Sequence, residues 1–397
     1  MSNITVIDAI MGAGKTNYAI RYMSEAPDTM RFIYTTPFLL EVDRIIDSVK
    51  NRHFTQPTNA NSEGRKLRSL KELIEDGRDI AATHSLFRTA DDEVIELLKG
   101  AGYTLVLDEV MDVIESVNIK RADIRILLEG NKIEIVDNRV IWKDASYDAD
   151  RFNDIKLYAE AENLFIYRDS YILWAFPMRI FECFDNVMIM TYLFEAQNMS
   201  YYFKMHNASY NFKSVQNGEL AEYDVKREQR DTLYQLITLY EGKMNETGNK
   251  YAYSASWLRR GKRDLDRLAE IKRNLRNYFR NHLSAPSDSI MWSTLQEVEQ
   301  SVKGKGYSNA KIAVNARATN EYSDRWALAY IFNRFKNPHE TSFFEDNGVK
   351  VDEDLLAVSD LLQWIWRSRI RNGQPVNLYL PSSRMRTLLQ AWSNYEI

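Results

Sequence analysis

Apolar positions in the first half of the chain fall in short continuous runs, each followed by a stretch with helical spacing. Ile4-Thr5-Val6-Ile7-Asp8 opens as a β-branched strand, and Ile20, Tyr22 and Met23 place a helix from Asn17 onward. Residues 31–37 read as a buried strand ending in a Thr-Pro turn, and residues 39–49 as a helix. A polar loop over 51–66 precedes a third strand at 79–84, a helix at 85–98 and a fourth, largely apolar strand at 103–109. Strands alternating with helices predict a parallel sheet covered by helices. Residues 131–143 break the rhythm: apolar residues on either side of Asp137-Asn138 predict a small inserted β-hairpin. Residues 187–191 return as another buried strand.

The second half repeats the alternation less regularly. Residues 198–225 are rich in Tyr and Asn and lack periodicity, which puts a domain junction there and gives domains 1–205 and 206–397. A helix is expected at 227–241, then a strand at 251–254 and a strongly basic helix over 257–280. Strands at 289–292 and 312–315, a helix over 355–371 and a last strand at 375–379 complete the second unit. No internal repeat stands out.

The first strand runs into Ala9-Ile10-Met11-Gly12-Ala13-Gly14-Lys15-Thr16, a P-loop pattern in which Ala9 replaces the first glycine. Backbone N–H groups of Gly12, Ala13, Gly14, Lys15 and Thr16, at the N-terminus of the following helix, are expected to cradle the phosphates of ATP. Lys15 reaches the β- and γ-phosphates in this pattern, and the Thr16 hydroxyl ligates Mg²⁺. The fourth strand ends in Asp108-Glu109. A buried parallel strand delivers its last residues to the carboxyl edge of the sheet, beside the P-loop. Asp108 is therefore a candidate to hold Mg²⁺, and Glu109 to orient and deprotonate the attacking water.

Composition narrows the field. Apolar residues make up 45% and charged residues 27%, as in a globular protein, and the length of 397 residues accommodates two or three domains. The formal net charge of −4 shows no global basic field, although a local basic groove remains compatible with it. Cys183 is the single cysteine and the five histidines lack ligand spacing, which excludes a disulfide framework and a cysteine zinc cluster. No apolar run approaches the roughly 20 residues of a membrane span, so a cytoplasmic protein with no membrane partner is expected, in a host cytoplasm if it is phage-encoded.

The ordered motifs resemble those of superfamily 2 helicases and translocases, in particular compact bacteriophage forms. Ala9–Thr16 resembles motif I, Thr35-Thr36-Pro37 motif Ia, and Ala82-Thr83-His84-Ser85 the DNA-contacting segment after it. Asp108-Glu109-Val110-Met111 is similar to motif II and Met190-Thr191-Tyr192 to motif III. Tyr251–Ser254 is similar to motif IV, Asn315–Asn320 to motif V and Gln363–Arg371 to motif VI. Met111 stands where the DEAD and DEAH groups carry Asp or His, and only eight residues precede Ala9, which argues against a DEAD-box RNA helicase.

The resemblance implies an α/β protein of two tandem RecA-like P-loop domains with ATP and Mg²⁺ held between them. Lys15, Thr16, Asp108 and Glu109 belong to one wall, and Gln363, Arg367 and Arg371 to the other. On a continuous helix those last three, spaced four apart, share a face, and Arg371 takes the arginine-finger role with Arg369 in reserve. Thr35, Thr83 and His84 in the first unit, and Asn315, Arg317 and Thr319 in the second, are the implied nucleic-acid contacts. The implied activity is ATP-dependent movement along, or unwinding of, single-stranded or forked DNA in phage replication or recombination, with replication proteins as possible partners. The rivals are a packaging motor, for which no clustered nuclease carboxylates are seen, and a nucleotide switch or loader that regulates a protein partner.

Overall fold

A computed structural model describes residues 3–147, 150–168, 171–245, 249–314 and 321–397. The chain divides into two compact units: Met1–Ala9, Ala13–Tyr223 and Asn337–Val351 form one, and Ile10–Gly12, Asp224–Lys336 and Asp352–Ile397 the other. Both are α/β, and the architecture is that of two RecA-like domains. No described helix is long and apolar enough to cross a membrane.

The first unit is built on an eight-stranded sheet. Its centre is Asn3–Asp8, Asn186–Thr191, Tyr103–Asp108 and Arg31–Thr36, paired side by side and all parallel. These strands are apolar along nearly their whole length because helices cover both faces, and Val6, Ile33, Leu105, Val106 and Ile189 are fully buried. The register sets Asp8 opposite Thr191 and Met190 opposite Asp108, so three strands end level at the carboxyl edge. Asn211–Gln216 extends the sheet in parallel beside the first strand, and Glu219–Glu222 closes it antiparallel. The expected boundary at 205/206 therefore falls inside this unit: backbone pairing, rather than side-chain periodicity, holds residues 211–222 there.

The expected hairpin is present as Ile133–Val136 and Arg139–Trp142, turning through Asp137 and Asn138 at φ 50° and 63°. It forms part of a larger insertion, a five-stranded sheet with Ile114–Ser116, Leu164–Tyr167 and Tyr171–Ala175, whose described pairings are antiparallel. The helix Pro338–Asp346 returns from the second half of the sequence to pack on the first unit. Phe344 is fully buried and lies 5.5 Å from the Tyr201 ring, and Asp346 pairs with Arg168 at 2.7 Å.

The second unit carries a parallel four-stranded sheet ordered Ile237–Leu239, Val376–Tyr379, Ala327–Ile331 and Ile290–Thr294. The helix expected at 227–241 is instead a short helix, Arg230–Gln235, followed by the edge strand Ile237–Leu239. Gln229 at φ 51° breaks the helical path, and parallel pairing of Ile237 with Val376 claims the residues that follow. The strand expected at 251–254 is a turn with Tyr253 at φ 65°, ending in Ser254, which caps the next helix. The long basic helix is interrupted: Ala255–Gly261 and Leu265–Arg276 are separate, because Asp264 caps the second by accepting from Arg267 N–H. Residues 312–314 form no strand, and Asn315 lies outside the described residues.

The helix expected to reach 371 stops at Ile365, with Trp366 as its C-cap. Ser368 Oγ donates to the Ile365 carbonyl at 2.6 Å, and a 3-10 turn follows over Arg369–Asn372. Gln363, Arg367 and Arg371 are thus not on one continuous helical face. Serine competing for helix-terminal carbonyls is the physical reason.

Candidate nucleotide site

The glycines of the P-loop have a definite backbone task. Gly12 and Gly14 sit at φ 85° and 88°, in the left-handed region that side chains disfavour. Gly14 is the N-cap of the helix Lys15–Glu25, so the turn leads straight into the helix's N-terminal N–H groups, a positive dipole end. Ala9 is buried and its N–H donates to the Thr191 carbonyl at 3.1 Å. The Lys15 ammonium donates to the Ala9 carbonyl at 2.5 Å, which keeps it folded over the loop.

The carboxyl edge brings the other groups together. Thr16 Oγ1 donates to Asp108 Oδ2 at 3.4 Å, and the Tyr34 hydroxyl donates to the same oxygen at 2.5 Å. Tyr34 lies on Arg31–Thr36, the neighbouring strand, and is fully buried. Burial raises the Asp108 pKa to about 6; the Tyr34 hydrogen bond opposes the shift, and Glu109 and Glu41 add to it. Glu109 leaves the strand at φ 67° and its N–H donates to the Met190 carbonyl at 2.9 Å. That left-handed turn gives neighbouring carboxylates different directions.

Two residues here escaped the sequence reading. Asp8, the last residue of the first strand, is buried, and its two carboxylate oxygens accept from the N–H groups of Leu193 and Phe194 at 2.9 and 2.8 Å. An acid closing an otherwise apolar strand was the available signal. Tyr34 gave none, because its value depends on which strands become neighbours.

The implied nucleic-acid contacts fare differently. Thr35 is fully buried, so its side chain is not available to a strand outside the protein. Its place inside the Arg31–Thr36 pairing, opposite Leu107 and Ala82, is the reason. Thr83 is partly exposed and caps a short helix, accepting from Leu86 N–H at 3.4 Å, and His84 is buried. Asn315, Arg317 and Thr319 lie outside the described residues. In the second unit, Gln363 is buried and donates to Ser359 Oγ at 3.5 Å, Arg367 is partly exposed and Arg371 exposed. Arg369 Nε donates to the Pro375 carbonyl at 2.6 Å, which engages that side chain within its own unit.

Thr16 and Asp108 suit a magnesium ion that takes one hydroxyl, one carboxylate and phosphate oxygens. Among the described residues there is no cluster of three or more His, Cys, Asp or Glu side chains, so the donor set is not that of an all-protein metal cage.

The raised Asp108 pKa has a measurable consequence. The folded state holds this proton up to about pH 6 and the unfolded chain releases it near 3.8. Ionisation in the fold therefore lowers stability as pH rises through that window, by about 2–3 kcal/mol in all. Asp108→Asn is expected to be more stable than the wild type by that order at pH 8, with the gain vanishing near pH 4. Urea unfolding at both pH values measures it, and equal stabilities at pH 8 contradict the desolvated-carboxylate account.

The fold defines an α/β protein of two RecA-like domains, with a glycine turn between the first strand and the first helix. The chain belongs to the YonV family: it is 38% identical over 409 residues to the SPbeta prophage-derived protein YonV of Bacillus subtilis (strain 168), spanning 99% of each chain. Residues 114–174 match the YonV middle domain, which is the inserted sheet, and residues 231–393 match the YonV C-terminal Rossmann-like domain. Among solved structures, the chain is similar to Xpd4 of S. tokodaii, with TM-score 0.51, 13% identity and coverage of 100% of this chain and 94% of that one. An apo XPD structure gives TM-score 0.50 at 12% identity over 98% of this chain and 95% of the other. At that identity the likeness shows the fold.

Proposed function

We propose that this protein is an ATP-dependent DNA translocase or helicase, at work in phage DNA replication or recombination. The observation that carries the ATPase part is the convergence of Thr16 on Asp108, with Lys15 folded over a glycine cradle at the same sheet edge. In this reading the Gly12–Thr16 N–H groups bind the phosphates and Lys15 exchanges the Ala9 carbonyl for a phosphate oxygen. Thr16 and Asp108 would hold Mg²⁺, which would supply positive charge to the bound phosphates. Glu109 orients water in line with the γ-phosphate and accepts its proton. The resemblance to motif VI gives Arg367 and Arg371 the role of transition-state cations and makes Gln363 a candidate polar contact to the nucleotide.

The step from ATPase to motor is supported by the motif order, the two RecA-like domains and the XPD-like fold. A prophage relative supports the phage setting. The test is steady-state ATP hydrolysis alone and with single-stranded DNA, duplex DNA, forked DNA or RNA. Tenfold or greater stimulation by a DNA form, absent in Lys15→Ala, is the expected result. Hydrolysis indifferent to every nucleic acid sinks the motor and leaves a nucleotide switch acting on a protein partner.

A further inference from the structure

The turn that replaced the expected strand at 251–254 builds something of its own. Tyr251 is 53% exposed. Its ring lies 5.9 Å from that of Phe335, tilted by 34°, and the Lys250 ammonium sits 5.0 Å from its centre. Arg384 stacks on Phe335 at 4.3 Å. These residues line a cavity of about 640 Å³ with Ser383 and Thr387.

The platform is rigidly mounted. Buried Asn333 donates through Nδ2 to the carbonyls of Lys250 and Ala252, at 2.8 and 3.0 Å, and its N–H donates to the Tyr253 carbonyl. The Arg384 guanidinium bonds Asn333 Oδ1 at 3.0 Å, the Arg334 carbonyl and Asp354. Phe335 follows the strand Ala327–Ile331, and Ser383 begins the helix after Val376–Tyr379. The cavity therefore lies at the carboxyl edge of the second unit's parallel sheet, where ligands of open α/β sheets bind.

We infer that this cavity binds an unstacked nucleobase of single-stranded nucleic acid, with Tyr251 as the stacking face and Lys250 on the adjoining phosphate. The inference rests on the nucleic-acid reading above. Aromatic rings flanked by cations are the chemistry that grips single strands without sequence preference. The carboxylates in the lining fit a base better than a phosphate: Asp354 is neutralised by Arg384, and Glu353 suits the exocyclic amino group of a base.

The test is binding of a fluorescent single-stranded oligonucleotide by anisotropy at fixed salt, using the full chain. Tyr251→Ala is expected to weaken binding about tenfold, while Tyr251→Phe stays within twofold of wild type. Lys250→Gln should flatten the salt dependence of binding. Circular dichroism checks that each variant is folded. Ultraviolet cross-linking of a bromouridine oligonucleotide, mapped by peptide mass, should place the adduct at Tyr251 or Phe335. If the wild type binds and Tyr251→Ala binds equally, with cross-links elsewhere, the cavity is not the base site and a peptide-like occupant takes precedence. If the wild type binds no single strand at all, the motor reading fails first.

Discussion

Glu109→Gln is expected to lower kcat for ATP hydrolysis by about 10²–10⁴-fold while leaving nucleotide affinity within a few-fold of wild type. The magnitude is that of removing a positioned general base. Glutamine keeps the length and hydrogen-bonding reach of the side chain but cannot accept the proton of the attacking water. Glu109 is held at φ 67°, a conformation uncommon outside glycine and asparagine, by its N–H bond to the Met190 carbonyl. Such strain persists where the surroundings over-determine it, and it turns Glu109 out of the strand in which Asp108 ends. Lys15→Ala provides the contrast, because it removes phosphate charge recognition and should raise the nucleotide dissociation constant. Single-turnover hydrolysis and nucleotide titration separate the two outcomes. A Glu109→Gln protein that hydrolyses ATP within fivefold of wild type would move the base elsewhere.

How far the sequence showed this arrangement depends on what each feature rests on. The P-loop, the Asp108–Glu109 strand end and the parallel sheet of the first unit were legible because they are local. An apolar run, a glycine turn and a helical period each write themselves into neighbouring residues. The hairpin at 131–143 was legible for the same reason, through Asp137-Asn138. The insertion around it was not, because Ile114–Ser116 and Tyr171–Ala175 are paired across a long separation. Pairing also hid the strand Asn211–Gln216, whose polar residues follow no clean alternation. In the second unit, periodicity over 227–241 hides a short helix that starts after Gln229, in the left-handed region, and gives way to the strand Ile237–Leu239; over 355–371 it hides the helix end at Ile365, where Ser368 bonds back. Thr35 illustrates a different limit. A threonine near a strand end can face solvent or the sheet interior, and only the neighbours Leu107 and Ala82 decide.

Asp8→Ala is expected to destabilise the first unit by about 3–5 kcal/mol and to impair the nucleotide site with it. The carboxylate accepts two backbone N–H groups, from Leu193 at 2.9 Å and Phe194 at 2.8 Å, and both residues are buried. Hydrogen bonds to a charged acceptor contribute about 1.5–3 kcal/mol each, and an orphaned buried donor retains its desolvation penalty. Leu193 sits at φ 55°, so the turn it occupies has little intrinsic preference for its own shape and depends on the clamp. The functional consequence follows from connectivity. The strand ending at Thr191 accepts from Ala9 N–H at the start of the glycine turn and from Glu109 N–H beside Asp108. Loosening the turn at 193–194 therefore frees, at one stroke, the backbone at Ala9 and at Glu109, the two places where the proposed nucleotide site meets this strand. Asp8→Asn separates charge from geometry: one amide oxygen still accepts, but the amide nitrogen meets a donor, and an intermediate loss is expected. Urea unfolding followed by a probe in the first unit gives the stability change, and nucleotide titration gives the loss of affinity. A variant that keeps wild-type stability but loses nucleotide binding would mean that Asp8 acts on the loop without supporting the fold. A variant unchanged in both would show that the turn after Asn186–Thr191 holds its shape by packing alone.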